Sequence, residues 1–206
     1  DGTELIVQRR HRLLQEFGLQ WWQQAGAWHW SLDASHGEGR RRGAPNPFVP
    51  NDGVRTRIDR VQARLSTEPG ADGPGWQLEL RAQHGRQPGS GADLFVVGSP
   101  ASVRGIGPED ALASESGALA RLELAWAPAG SEGLVAKAYL GWDVGLLYGP
   151  TVATLPGRRL ASATTGLRLD VARRLQADLS LSLAFDGPPG RFAPRWRPAI
   201  TVRTPL

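Results

Sequence analysis

Cysteine and methionine are absent from this chain of 206 residues, and Lys137 is the one lysine among its 24 basic residues. Without cysteine, neither disulfides nor thiolate chemistry holds the fold or serves a reaction. No stretch approaches the roughly 20 consecutive apolar residues of a spanning helix, which excludes a helical membrane protein. A membrane β-barrel is not excluded, because its strands are apolar only at every second position and averaged hydropathy hides them. The first residues show neither an initiator methionine nor a basic-then-apolar signal segment. The expectation is a processed protein or a piece of a longer one.

The net charge is +4 and the isoelectric point about 10.5, a balance often met in nucleic-acid binders. Here the arginines alternate with apolar residues instead of clustering with aromatics, so no nucleic-acid partner is expected. Glycine (26) and proline (16) are plentiful and gather between the alternating runs, as in an all-β chain with many turns.

Period two dominates the pattern. Leu179, Leu181, Leu183 and Phe185 oppose Asp178, Ser180, Ser182 and Ala184; Leu122, Leu124 and Trp126 oppose Arg121 and Glu123. Leu140, Trp142, Val144, Leu146 and Tyr148 oppose Tyr139, Gly141, Asp143 and Gly145. About ten strands are expected, near 3–10, 12–23, 26–37, 54–67, 75–86, 117–127, 134–147, 160–172, 175–186 and 197–205. In 54–67 the apolar face changes phase near Arg60 and Val61, as a bulge would cause. Short connections (24–25, 128–133, 173–174) alternate with long ones (38–53, 87–116, 148–159), the habit of outer-membrane barrels.

The fold class expected is all-β: a transmembrane antiparallel β-barrel forming one domain over residues 1–206. A soluble β-barrel or sandwich alternates too. Strands of about 10–13 residues, close to the roughly 9–11 that cross a bilayer on a tilt, favour the membrane form. So do Trp21, Trp28, Trp76, Trp126, Trp142 and Tyr148 on the apolar faces, several near strand ends, as interfacial girdles require. Arg57, Arg64, Arg81, Arg121 and Arg168 are expected on the other face, lining a hydrated lumen.

The long connection 87–116 contains Val103-Arg104-Gly105-Ile106. Downstream, Glu123 and Asp143 point opposite to the apolar face, and Gly141 and Gly145 flank Asp143 on its own side. Two inward carboxylates in a partly dehydrated lumen are costly without a cation. An arginine fork satisfies a carboxylate with two parallel hydrogen bonds. Either carboxylate is a candidate partner for Arg104, with Asp143 preferred because glycines leave room for an incoming loop.

At these residues the chain resembles the two-partner secretion transporters (TpsB; ShlB and FhaC are members), of the outer-membrane superfamily that also holds the BamA-type insertases. Val103-Arg104-Gly105 matches the family's Val-Arg-Gly-aromatic loop tip, with Ile106 in place of the aromatic and Ser99 where a second glycine is common. Gly117 with Glu123, and Gly141-Trp142-Asp143-Val144-Gly145, match the two following strands. The chain ends at Leu206 where such barrels usually end in Phe. The resemblance implies that Arg104 pairs with Asp143, with Glu123 nearby. It also implies that the chain is the C-terminal part of a larger barrel of about sixteen strands, without the family's periplasmic POTRA modules. The function implied is an outer-membrane translocation pore that secretes a large exoprotein. A BamA-like insertase and a passive porin or structural barrel are the alternatives. The expected partners are a secreted exoprotein client and outer-membrane lipids, around a monomeric barrel.

Other residues carry less. His11, His29, His36 and His84 lack metal-site spacing, and neither Ser102 nor Ser162 sits in a nucleophile elbow. No metal, no cofactor and no enzymatic activity are expected. Arg40-Arg41-Arg42 in the 38–53 connection suits either lipopolysaccharide phosphates or a solvated loop, and Gly85, Gly89 and Gly91 read as turn residues.

Overall fold

The computed structural model describes residues 11–42, 55–69, 73–86, 93–127, 133–171, 175–188 and 193–204. Alternation of apolar and polar side chains drives all of its long elements. They are β1 (His11–Ala25), β2 (Trp28–Arg42), β3 (Arg55–Thr67) and β4 (Gly75–Gly85), with two short strands, β5 (Phe95–Val97) and β6 (Leu112–Ser114). Then follow β7 (Ser116–Trp126), β8 (Leu134–Tyr148), β9 (Arg159–Val171), β10 (Leu175–Asp186) and β11 (Arg195–Arg203). The expected strand at 3–10 lies outside the described residues.

Among the described residues, nine strands form one antiparallel sheet in the order β1-β2-β3-β4-β7-β8-β9-β10-β11. Neighbours in sequence are neighbours in space except at one place. There β4 pairs directly with β7, and everything between them is an excursion. That excursion is not the plain loop the alternation suggests: β5 and β6 pair with each other and make a separate hairpin stem. Among the described residues β1 and β11 are the sheet's edges, and Pro198 in β11 accordingly withholds a ladder donor only at an edge.

One sequence expectation fails in β3. Its pairing with β2 and with β4 runs without a register shift past Arg60 and Val61, so there is no bulge there. The phase change has another cause. Ile58 is buried on the inner face, in line with Arg60 and Gln62, opposite Gly37 and Gly85. The irregular pairing lies instead at Ala184 and Asp186 of β10. The first turn is also displaced from 24–25 to Gly26, whose φ of 61° is left-handed and natural for a two-residue hairpin turn.

The outer face is apolar and exposed. Leu122, Trp126, Leu140, Trp142, Val144, Leu146, Leu179 and Leu181 each keep more than a third of their surface accessible, an extended belt that suits hydrocarbon. Trp28, Trp76 and Trp126 sit at strand ends beside the shorter connections, and the Trp28 and Trp76 rings meet edge-on, 5.0 Å between centroids. Trp21 stacks obliquely on Trp30 at 5.5 Å, and Tyr148 ends β8 at the opposite rim. Trp142 departs from a girdle position: it lies mid-strand in β8, between Leu122 and Ala163, inside the belt. Arg57 departs as well. It shares the outer face with Val61 and pairs with Glu38 at 2.9 Å near the far rim, so it does not line the lumen.

The inner face is concave, because one short segment touches it at widely separated strands. The Arg81 guanidinium on β4 donates to the Ala101 carbonyl, Arg104 meets β8, Gly105 abuts Ser182 on β10, and Arg197 on β11 pairs with Glu109. The sheet therefore curves around the β5–β6 hairpin and its tip.

Candidate functional site

The site is built on the strict alternation of β8, where Tyr139, Gly141, Asp143, Gly145 and Leu147 are buried and each intervening residue is exposed. Register places Arg121 on one side of Asp143 and Ser162 on the other; Gly141 lies between Glu123 and Thr164. The acidic pair is thus presented from two adjacent strands onto the same inner surface.

The loop is shaped before it arrives. Ser102 Oγ accepts the backbone N–H groups of Gly98 (3.0 Å) and Ser99 (2.9 Å), while Ser102 N–H donates to the Ser99 carbonyl at 2.9 Å. This turn aims Val103 and Arg104 at β8. Ser102 is therefore a loop organiser, and Ser99, in the place of a second glycine, serves the same turn. Gln83 on β4 holds both ends of the excursion, its side-chain amide donating to the Asp93 carbonyl (2.6 Å) and the Glu115 carbonyl (3.0 Å). Gly85 is not a turn residue: it ends β4, where a Cβ would come within 2.8 Å of the Glu115 carbonyl oxygen.

Arg104 binds Asp143 through its fork. Nε donates to Oδ2 at 2.7 Å and Nη2 to Oδ1 at 2.8 Å, and the Arg104 backbone N–H adds a third bond to Oδ2 at 3.0 Å. Nη1 reaches Glu123 Oε2 at 3.1 Å. The Asp143 side chain has no accessible surface, so these charge-assisted bonds compensate a fully desolvated carboxylate. Gly141 makes the approach possible, since a Cβ there would fall on the Arg104 guanidinium.

A second cluster adjoins the first. Arg168 on β9 pairs with both Glu123 oxygens, Nη2 at 2.9 Å from Oε2, and its Nε donates to Asp178 Oδ2 at 3.0 Å. Tyr139 lies beneath it, with the guanidinium 4.3 Å from the ring centroid and the hydroxyl donating to Asp178 Oδ1 at 2.8 Å. Arg121 adds a longer ion pair to Asp143, Nε to Oδ1 at 3.4 Å, and Ser162 Oγ stands 3.4 Å from Oδ2.

An apolar clamp holds the tip from the other side. Val97, Val103, Ile106 and Leu112 from the excursion pack with Leu119, Leu147, Leu160 and Ala184 from the sheet. Ile106 is only 7% exposed in this cluster. An isoleucine at the aromatic's position thus fills the space available. The inner face is accordingly polar under the arginine tip and apolar beyond it.

The return arm is fastened by a third contact. Glu109 is paired with Arg197, and Arg195 reaches Asp110 at 3.5 Å, so two arginines of β11 grip the 3-10 turn Pro108–Asp110. The Glu109 backbone N–H, then Arg197, hold the Glu109 carboxyl below the usual glutamate range. Sequence reasoning did not single out Gln83, Glu109, Arg195 or Arg197. Their partners lie far away in the chain, and inward phase was the only signal for Gln83 and Arg197.

Of the other expected positions, Arg64 does face inward and pairs with Glu79 at 3.2 Å. His36 and His84 come close together across β3. They lie on the outer face near the rim, in register with Asp59 between them, and His36 Nδ1 is 2.6 Å from Asp59 Oδ1. Arg40, Arg41 and Arg42 end β2 rather than occupying a loop, and their side chains, like Gly89 and Gly91, lie outside the described residues.

Among curated proteins, none matches this chain in sequence. The family model of the haemolysin secretion/activation proteins ShlB/FhaC/HecB matches residues 1–169. The chain belongs to this family. Solved structures that share its fold include two CdiB proteins. CdiB from Escherichia coli aligns over 91% of this chain and 36% of its own, with TM-score 0.73 and 20% identity. CdiB from Acinetobacter baumannii aligns over 94% of this chain and 33% of its own, with TM-score 0.73 and 22% identity. The chain therefore spans about a third of the length of the structures it matches. As a ShlB/FhaC/HecB family member with the strands of a transmembrane barrel, it is a protein of the Gram-negative outer membrane.

Proposed function

We propose that this chain is the C-terminal part of the barrel wall of a two-partner secretion transporter, and that the whole barrel carries a large exoprotein across the outer membrane in unfolded form. Residues 1–206 act as one barrel domain whose remaining strands, in the complete protein, cover the edges at β1 and β11. Uncovered edges in lipid would leave ladder groups unpaired, at several kcal/mol each. The barrel works as a monomer, its partners being the client and the surrounding lipids, and its activity involves no covalent step and no cofactor.

The observation that carries the reading is the tip of the loop, folded onto the inner face and locked there by Arg104 on Asp143. Beside the tip lies a cavity of about 800 Å³, lined by Arg121, Glu123, Lys137, Arg168 and Asp178 among others. Such walls stay hydrated and offer an extended polypeptide few apolar places to adhere. The loop obstructs or organises that path, and its displacement opens it. In the full-length protein, Arg104→Ala should leave the barrel folded and change client secretion. Preserved folding with unchanged secretion would count against the proposal.

A further inference from the structure

Each carboxylate that receives the loop already has a second arginine on the sheet. Asp143 lies directly opposite Arg121 across the β7–β8 ladder, with 3.4 Å between Arg121 Nε and Oδ1, but this ion pair lacks the aligned bonds that Arg104 makes. Glu123 shares Oε2 between Arg104 and Arg168, and Arg168 also reaches Oε1. Arg121 and Arg168 belong to strands held on both sides by ladders, whereas Arg104 rides on a loop tip.

In the docked state Arg104, Arg121 and Arg168 face three carboxylates, Asp143, Glu123 and Asp178, so the site is charge-balanced and its acceptors are shared. The two strand arginines matter differently once the loop moves. Removing the sole partner of a buried carboxylate is severely unfavourable, whereas a carboxylate with a second cation in place is handed over instead of abandoned.

We infer that Arg121, with Arg168, is a positioning residue that takes over the lock's carboxylates when Arg104 withdraws, so that the loop undocks reversibly. The inference rests on the reading above, in which loop displacement opens the pore. It has a consequence opposite to that of a merely structural contact. Deleting Arg121 raises the energy of the undocked state more than that of the docked one, and so holds the loop in.

The test is single-channel recording of the full-length protein in planar bilayers. Arg104→Ala is expected to open more often than wild type. Arg121→Gln is expected to open about five- to tenfold less often, the effect of a modest coupling energy. Arg121→Lys keeps the charge and should recover most of the opening. Arg168→Gln, the second and independent variant, should act in the same direction as Arg121→Gln. If both glutamine variants open as often as wild type or more often, the inference is overturned while the pore reading stands. If Arg104→Ala also leaves gating unchanged, it is the pore reading that falls.

Discussion

The Arg104 guanidinium meets Asp143 edge to edge, with Nε on one carboxylate oxygen and Nη2 on the other at 2.7 and 2.8 Å. Lysine cannot reproduce this fork, because an ammonium is a point charge without two parallel donors. Arg104→Lys is therefore expected to behave more like Arg104→Ala than like wild type. Breaking a buried pair costs about 3–5 kcal/mol, and Arg121 beside Asp143 should hold the loss to the lower end. Protease accessibility of the loop in the folded full-length barrel measures it. A loop as protected in Arg104→Lys as in wild type would show that charge alone suffices.

Space at Gly141 is as important as charge. A methyl group there occupies the guanidinium's place, so Gly141→Ala should displace Arg104 at a cost of about 1–3 kcal/mol while leaving the β8 ladder intact. The expected result is a folded barrel with a protease-sensitive loop. Unaltered protection would mean that Arg104 can bind from another direction.

Ile106 tests the apolar clamp. Ile106→Ala empties space within the cluster of Val97, Leu112 and Leu160 and should cost about 2–5 kcal/mol. Ile106→Tyr brings in an aromatic side chain but overfills this chain's clamp, where a Cβ on Gly98 would already lie 2.8 Å from Ile106 Cγ2. Its expected cost is about 1–3 kcal/mol. Thermal unfolding of the detergent-solubilised barrel ranks the two, and a tyrosine variant more stable than wild type would contradict the fit.

The contact between Glu109 and Arg197 differs from the lock in its exposure. Side-chain accessibilities of 53% and 31% leave it open to screening, whereas Asp143 is sealed. Raising salt from about 0.1 M to about 1 M shortens the screening length from about 10 Å to about 3 Å and should loosen this arm alone. A wild-type change in loop accessibility with salt, absent from Glu109→Gln, would show it.

Acid acts on the same arm with a defined sign. Its own backbone N–H and then the docked Arg197 lower the Glu109 pKa, so the contribution of the Arg197 contact is complete above the ordinary glutamate value of about 4.3 and is lost as pH falls through the lowered one. Loop accessibility should stay level from about pH 8 to about pH 5 and rise only below the ordinary value. A rise near neutrality would point to another group.

Much of this was legible in residue order. Alternation alone put Arg121, Glu123, Asp143 and Arg168 on the face opposite Leu122, Trp142 and Leu167, because successive side chains of a strand point to opposite sides whatever the surroundings. Val103-Arg104-Gly105, with Asp143 between Gly141 and Gly145, marked the loop and its receiving strand for the same reason: these features are local. Tertiary structure decided the rest. It determined that Arg104 takes both oxygens of Asp143 and one of Glu123, that Arg168 holds Glu123 across 45 residues, and that Arg197 ties Glu109 across 88. It also turned Ile58 inward without a bulge, sent Arg57 outward and built a β5–β6 stem within the excursion. Pattern determines which way a side chain points, but its partner depends on where the chain returns, and that is decided only when the sheet curves around the loop.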